Sequence, residues 1–371
     1  MKHAGAAAWR ERALALVLLA AAAAALLWAA ERLPLLDTLV FGYDWHNYWA
    51  MVQGGWPDYG AVDVFNPPWT VLLLWPLAAL PFKTGWAALT LLTLAVLVAS
   101  VPRRADGRLD YWLLAALFTS YWVLRQLAEG NLAGLMVAGV LLLLSGLERR
   151  DPWRLAAGGL LATAKYQESW LLLLIVAGLV ARTWPARRWL TAAGLGLAAV
   201  TPSLLLLGGP WLHKLLTPAG FSPNIARLTG NISLTALTVL PGFPPWGAAV
   251  ASVIVLAATG WVVWRSAPAF SRLTAGFLIA ASLLTAPYTG GASLTTLLAV
   301  GWLPFWRGCF WPGLALWAFA NLSLWPLDPA VVWRWPDVPQ VFLILWLWAA
   351  LGAALLASAR PDRRPPPAAQ A

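Results

Sequence analysis

The sequence predicts an all-α, multi-pass membrane protein, and three observations carry that expectation. Of its 371 residues, 61% are hydrophobic and only 11% are charged, with a mean hydropathy of +0.70. Apolar runs recur at close to the roughly 20 residues that a helix needs to cross a bilayer. The 27 tryptophans suit the membrane–water boundary, where amphipathic rings gather. The same composition removes other classes. A formal net charge of +10 in a soluble protein would suggest nucleic acid, but here the basic residues stand in short clusters between apolar runs, the pattern that orients membrane helices. No nucleic-acid partner is expected. A single cysteine, Cys309, leaves no disulfide framework and no Cys-based metal site.

The elements follow in order. The first run, Ala13 to Ala30, stands behind Lys2, Arg10 and Arg12. Ala29-Ala30 imitates a signal-peptidase site, yet the run is long for a signal core and further spans follow, so an uncleaved first helix is expected. Residues 69–101 contain Pro76 and Pro81 and are too long for one straight span, so one net crossing with a part lying at the interface is expected. Further helices are expected over 111–127, 132–148, 155–164, 170–181, 189–207, 246–264, 273–286, 292–306, 309–325 and 339–357. Together they make a bundle of about 11–13 helices in a single domain over 1–358.

This arrangement puts both termini and the basic clusters at 103–108, 149–154, 182–188, 265–272, 307 and 360–364 in the cytoplasm. The polar loops 31–68, 125–131, 165–169, 208–240, 286–291 and 326–338 then face the other side. Of these, 31–68 and 208–240 are the large ones. Residues 359–371, with three consecutive prolines, read as a disordered cytoplasmic tail.

The candidate functional residues gather in those loops. FGYDWHNYWAMVQGGWPDYGAVDVFNPPW, residues 41–69, sets Asp44 among Tyr43, Trp45, Tyr48 and Trp49. A carboxylate at the membrane boundary is a candidate general base, with aromatic faces to stack on a sugar; a solvated Asp in an aromatic belt is the alternative. Asp58 and Asp63 fit ordinary turn chemistry, and Asn66-Pro67-Pro68 stiffens the backbone before the next helix. His46 has no second His or Cys at ligand spacing, so it reads as a hydrogen-bonding interfacial residue and no metal is expected.

Arg125 and Glu129 are spaced to pair along a helix end before Gly130-Asn131. Lys165-Tyr166-Gln167-Glu168 interrupts apolar sequence between short helices. Lys165 there either holds a lipid-linked phosphate or pairs with Glu168. In 208–240, Arg227 offers a planar fork for two phosphate oxygens, near Asn231. The run Ala286-Pro287-Tyr288-Thr289-Gly290-Gly291 reads as a helix break.

The segments FGYDWHNYWA, FNPPW, EGNLAGL, RRDPWRLAAGGLLATAKYQ, GNISL and TAPYTGG, in this order, resemble the GT-C superfamily of membrane glycosyltransferases. Within it they resemble the polyprenyl-phosphate-mannose-dependent mannosyltransferases of glycosyltransferase family 87. The chain departs from the family pattern at Asn66, where an aromatic residue is common, at Glu129-Gly130, where Gly-Gln is common, and at Gln167, where Pro is common. A sugar other than mannose therefore stays open.

The resemblance implies an inverting transfer on the extracytoplasmic face of a bacterial cell membrane, with no cofactor and no metal. Asp44 is its general base, and Lys165 and Arg227 hold the donor phosphate. Tyr43, His46, Tyr48, Asp58, Glu129, Asn131, Tyr166, Asn231 and Tyr288 are contacts to substrate or acceptor. The implied partners are a polyprenyl-phosphate-linked sugar donor, a glycan or glycolipid acceptor and membrane lipids. Two other classes stand beside this reading. A transporter or flippase of lipid-linked saccharides predicts an internal repeat and polar residues at the bilayer midplane, and the sequence shows no convincing repeat. A noncatalytic membrane scaffold predicts that Asp44 is dispensable.

Overall fold

The computed structural model describes residues 42–59, 66–216, 232–240, 242–244, 246–266, 270–287, 289–322 and 338–359, with a few positions between 21 and 32. The rest of the expected first helix, most of 31–41, and 60–65, 217–231, 323–337 and 360–371 lie outside the described residues. So do Arg227, Asn231 and Tyr288.

The described chain is helical, with one isolated bridge between Arg103 and Leu109. Its helices are α1 (Tyr43–Met51), α2 (Pro68–Ala78), α3 (Phe82–Ser100), α4 (Tyr111–Phe118), α5 (Tyr121–Glu129), α6 (Ala133–Arg149), α7 (Pro152–Ala162), α8 (Tyr166–Thr183) and α9 (Ala186–Leu216). They continue as α10 (Gly247–Ser266), α11 (Arg272–Thr285), α12 (Leu294–Leu297), α13 (Leu303–Gly308), α14 (Phe310–Leu322) and α15 (Val338–Ser358). Among the described residues, five helical runs are long and apolar enough to cross a membrane: Phe82–Ser100, Pro152–Thr183, Ala186–Lys214, Gly247–Ser266 and Pro339–Ser358. The pair α5 and α6, bent by 111°, makes up to a sixth. The all-α polytopic fold is therefore as expected.

Local chemistry sets the boundaries. Pro68 opens α2 at a position where its missing N–H costs nothing, and Pro81 stands at the start of α3, dividing the 69–101 segment into a short helix and one of spanning length. Pro76 lies inside α2 without ending it, so only one of the two prolines breaks the chain. The expected helix 111–127 is divided into α4 and α5 around Thr119-Ser120. The expected outer loop 125–131 shrinks to a turn, because α5 runs to Glu129 and Gly130 closes it in the left-handed conformation, φ 69°. The expected loop 208–240 also loses its beginning, since α9 continues to Leu216 and carries His213 and Lys214 on its last turn.

The 165–169 loop is corrected as well. Hydrogen-bonded helix runs without a loop from α7 through the 3₁₀ turn Thr163–Lys165 into α8. Lys165 nevertheless has φ −128° and ψ 67°, outside helical values. Leu155 of α7 and Val180 of α8 line one cavity, although along a straight helix they would stand about 38 Å apart. The chain therefore folds back at Lys165, and Pro152–Thr183 is two antiparallel helices joined by a tight turn.

α6 and α7 pack closely along their lengths. A methyl group on Gly146 would meet the Leu155 backbone nitrogen at 2.8 Å, and one on Gly158 would meet that of Leu143 at 2.6 Å. Small residues let helix backbones approach in membranes, where dispersion and not water exclusion holds helices together. Asp151 caps α7 by accepting from the N–H groups of Trp153 at 2.9 Å and Arg154 at 3.4 Å. A second close approach joins Gly276 of α11 to Gly301, inside the π-helical Leu298–Trp302 that links α12 to α13. Arg272 donates to the Ala299 carbonyl there.

The apolar core has two parts. The larger runs from the end of α3 to α15, and the smaller packs Trp45 and Met51 of α1 against Tyr59, Leu74, Trp86 and Leu132. This smaller cluster positions the site.

Candidate active site

α1 begins at Gly42, whose φ of 70° turns the chain into the helix and whose N–H donates to the Ala128 carbonyl at 2.8 Å. Trp45, fully buried, donates from its indole to the Phe82 carbonyl at 2.9 Å. Gly130 lies flat against it, and an added methyl would meet the Trp45 Cβ at 2.6 Å. These contacts tie α1 to the ends of α3 and α5, so Asp44 stands directly over the Gly130-Asn131 turn.

Asn131 donates from Nδ2 to Asp44 Oδ2, while its Oδ1 accepts from the Ala133 N–H at 3.1 Å. Asp44 is half-buried. Burial pushes its carboxyl above the usual carboxylate range, and the Asn131 donor and the charges of Lys165 and Arg125 draw it part of the way back. Glu129 interacts electrostatically with both Asp44 and Lys165 and is paired with Arg125 Nε at 2.6 Å.

Lys165 is buried at the fold-back between α7 and α8. Its Nζ lies 2.5 Å from Glu168 Oε1 and donates to Ser293 Oγ at 3.3 Å; Ser293 in turn donates to Glu168 Oε1 at 2.5 Å. Glu168 is fully buried, and its Oε2 has no hydrogen-bond partner. An ammonium has three donors, and Glu168 and Ser293 take two of them.

Asn66 joins the two halves. Its Oδ1 accepts from the Tyr48 hydroxyl at 2.9 Å, its Nδ2 donates to the Ala164 carbonyl at 2.5 Å, and its own carbonyl accepts from Tyr59 at 2.8 Å. One side chain thus ties the helix of Asp44 to the residue before Lys165. Trp69 donates to Thr163 Oγ1 at 2.9 Å beside it.

An apolar cavity of about 500 Å³ opens next to that contact. Trp69 and Thr163 line it at the polar end, and Leu155, Gly159, Val180 and Trp189 farther along, between α7, α8 and α9.

Of the residues singled out from sequence, Asp44, Glu129, Asn131 and Lys165 come together, and Tyr48 joins them through Asn66. Tyr43, Asp58 and Tyr166 are exposed. His46 packs its ring between Trp49 and Phe82 at 6.1 and 6.0 Å, and its Nδ1 is buried without a hydrogen-bond partner. Both pairings of charges hold: Arg125 meets Glu129, and Lys165 meets Glu168. Sequence reasoning credits Asn66 only with stiffening the loop and passes over Ser293, since neither residue carries a periodicity or a spacing that marks its partner. Among the described residues, no three His, Cys, Asp or Glu side chains gather to share a cation.

The family model of glycosyltransferase family 87 matches residues 65–287, more than half of the chain. The chain belongs to that family. No curated protein and no solved structure matches it.

Proposed function

We propose, from membership of glycosyltransferase family 87, that this membrane enzyme moves a sugar, mannose first among the candidates, from a polyprenyl-phosphate donor to a glycan or glycolipid acceptor on the extracytoplasmic face. Family membership also decides for a transferase over the transporter and the scaffold. The observation that carries the reading is that the Lys165 charge acts on Asp44, with Asn66 tying the helix of Asp44 to the residue before Lys165.

Asp44 takes the proton of the acceptor hydroxyl as that oxygen forms its bond to the anomeric carbon. The bond from that carbon to the phosphate oxygen breaks on the opposite face, its electron pair leaves with the polyprenyl phosphate, and the configuration inverts through an oxocarbenium-like transition state. Lys165 offers its remaining donor to the departing phosphate, where charge develops. Glu168 and Ser293 keep that ammonium in place although it is buried. Arg227 remains the second phosphate candidate. A carboxyl with a raised pKa suits a base that must hold a proton once it has taken one. The apolar cavity running from Thr163 toward Trp189 has the character that a polyprenyl chain needs, and its Thr163 end lies two residues from Lys165 along the chain.

The test is transfer from radiolabelled polyprenyl-phosphate-mannose in membranes carrying equal amounts of wild type and Asp44→Asn. Loss of transfer by at least about a hundredfold is expected for the variant. Undiminished transfer would remove Asp44 from the chemistry. Activity of the wild type with another lipid-linked sugar alone would keep the mechanism and replace mannose.

A further inference from the structure

The Gly130-Asn131 turn makes Asn131 a candidate for touching the acceptor, but its hydrogen bonds give it another task. We infer that Asn131 is the positioning residue of the base: it holds the Asp44 carboxylate by a side-chain donor whose direction is set by the Ala133 N–H and by the left-handed Gly130 turn. Two observations carry this. The Asn131 amide cannot flip without losing both bonds, because Oδ1 accepts from Ala133 and Nδ2 donates to Asp44. Gly130 lies too close to Trp45 for any side chain, so the turn packs directly on α1. One oxygen of the Asp44 carboxylate, Oδ2, is thus occupied by Asn131. A donor fixed before the reaction favours the ionised carboxylate without any reorganisation during it.

Other charged groups also face Asp44. α5 brings Arg125 and Glu129, the α7–α8 turn brings Lys165, and α1 itself carries Tyr48; α2 carries no charged side chain. Changing Asn131 leaves the Arg125–Glu129 and Lys165–Glu168 pairs intact, so a change in titration reports the lost donor.

The inference rests on Asp44 being the base, and the sign of its effect follows. A base works when ionised, so activity falls as pH drops through the Asp44 pKa. Removing a donor to the carboxylate raises that pKa and moves the acid limb of the kcat profile to higher pH.

The experiment is the pH profile of sugar transfer by the full-length protein, comparing wild type, Asn131→Ala, Asn131→Asp and Asp44→Asn. Asn131→Ala is expected to move the acid limb up by about one pH unit and to recover most of its rate at high pH. Asn131→Asp keeps an acceptor for the Ala133 N–H but sets a second carboxylate against Asp44, so its limb moves further. A loss of rate equal at every pH, or an unmoved limb in both variants, overturns the inference. If Asp44→Asn transfers as well as wild type, the functional reading fails instead, and the two failures are told apart within one data set.

Discussion

Two ion pairs of the same spacing bracket α7, and they have little else in common. Asp151 and Arg154 stand three residues apart at its start, 3.2 Å from each other, with side chains 33% and 37% exposed. Lys165 and Glu168 stand three residues apart just beyond its end, 2.5 Å from each other, with side chains 9% and 0% exposed. The first pair lies at a helix terminus that Asp151 also caps, where water screens both charges. The second is enclosed by Ser293, α8 and the fold-back of the chain. A surface pair adds little, while a buried pair costs dearly if one partner is taken away. Equal spacing thus hides a difference between an exposed helix cap and a buried charge cluster.

The largest effect that tests this comparison falls on Glu168. Glu168→Ala strands the Lys165 ammonium in a buried site and is expected to lower stability by about 3–5 kcal/mol, read from thermal unfolding in detergent. The double change Lys165→Met with Glu168→Leu replaces both charges by apolar groups of similar size. It is expected to unfold near the wild-type temperature and yet to lose sugar transfer. A double variant with wild-type transfer would remove Lys165 from the donor site and leave the pair purely structural.

A smaller effect is expected between the two pairs, along the cavity wall. Gly159 lines the cavity, and a methyl group built on it meets nothing within 4 Å. Gly159→Leu is therefore expected to fold, since leucine is the better helix former, and to fill part of the cavity. KM should rise by about tenfold for a long-chain donor and stay unchanged for a donor with a truncated chain. Equal effects on both donors would place the lipid elsewhere.

The smallest effect belongs to the exposed pair. Arg154→Ala is expected to change the unfolding free energy by less than about 1 kcal/mol and to leave transfer at the wild-type rate. A larger loss would trace to its hydrogen bond with Ser145 Oγ at 2.7 Å, which ties α7 to α6.

Part of the site is legible in the amino-acid sequence. Asp44 and Lys165 stand out because an ionisable side chain beside apolar sequence is expensive, and such a cost signals a partner or a task. The spacing of Arg125 and Glu129 names its own partner, because residues four apart share a helix face. Asn66 and Ser293 give no such sign. Both are ordinary polar residues in loops or turns, and their meaning lies in atoms brought near from distant segments: Ala164 and Tyr48 for Asn66, Lys165 and Glu168 for Ser293. For Asn131 the sequence marks the neighbourhood, since the Gly-Asn pair shows a turn but not that the amide faces Asp44.

What the sequence by itself determined is the class of the molecule and most of its helices. A chain that is 61% hydrophobic must satisfy its backbone internally in a bilayer, and helices do so with bonds between near neighbours. Only the tertiary structure decided that the run from Pro152 to Thr183 folds back at Lys165, that of two equally spaced ion pairs one is buried, and that Asn131 grips Asp44. Those outcomes depend on which helix faces approach each other. That is set by close contacts such as Gly146 on Leu155 and Gly130 on Trp45, between residues whose separation along the chain carries no periodic signal.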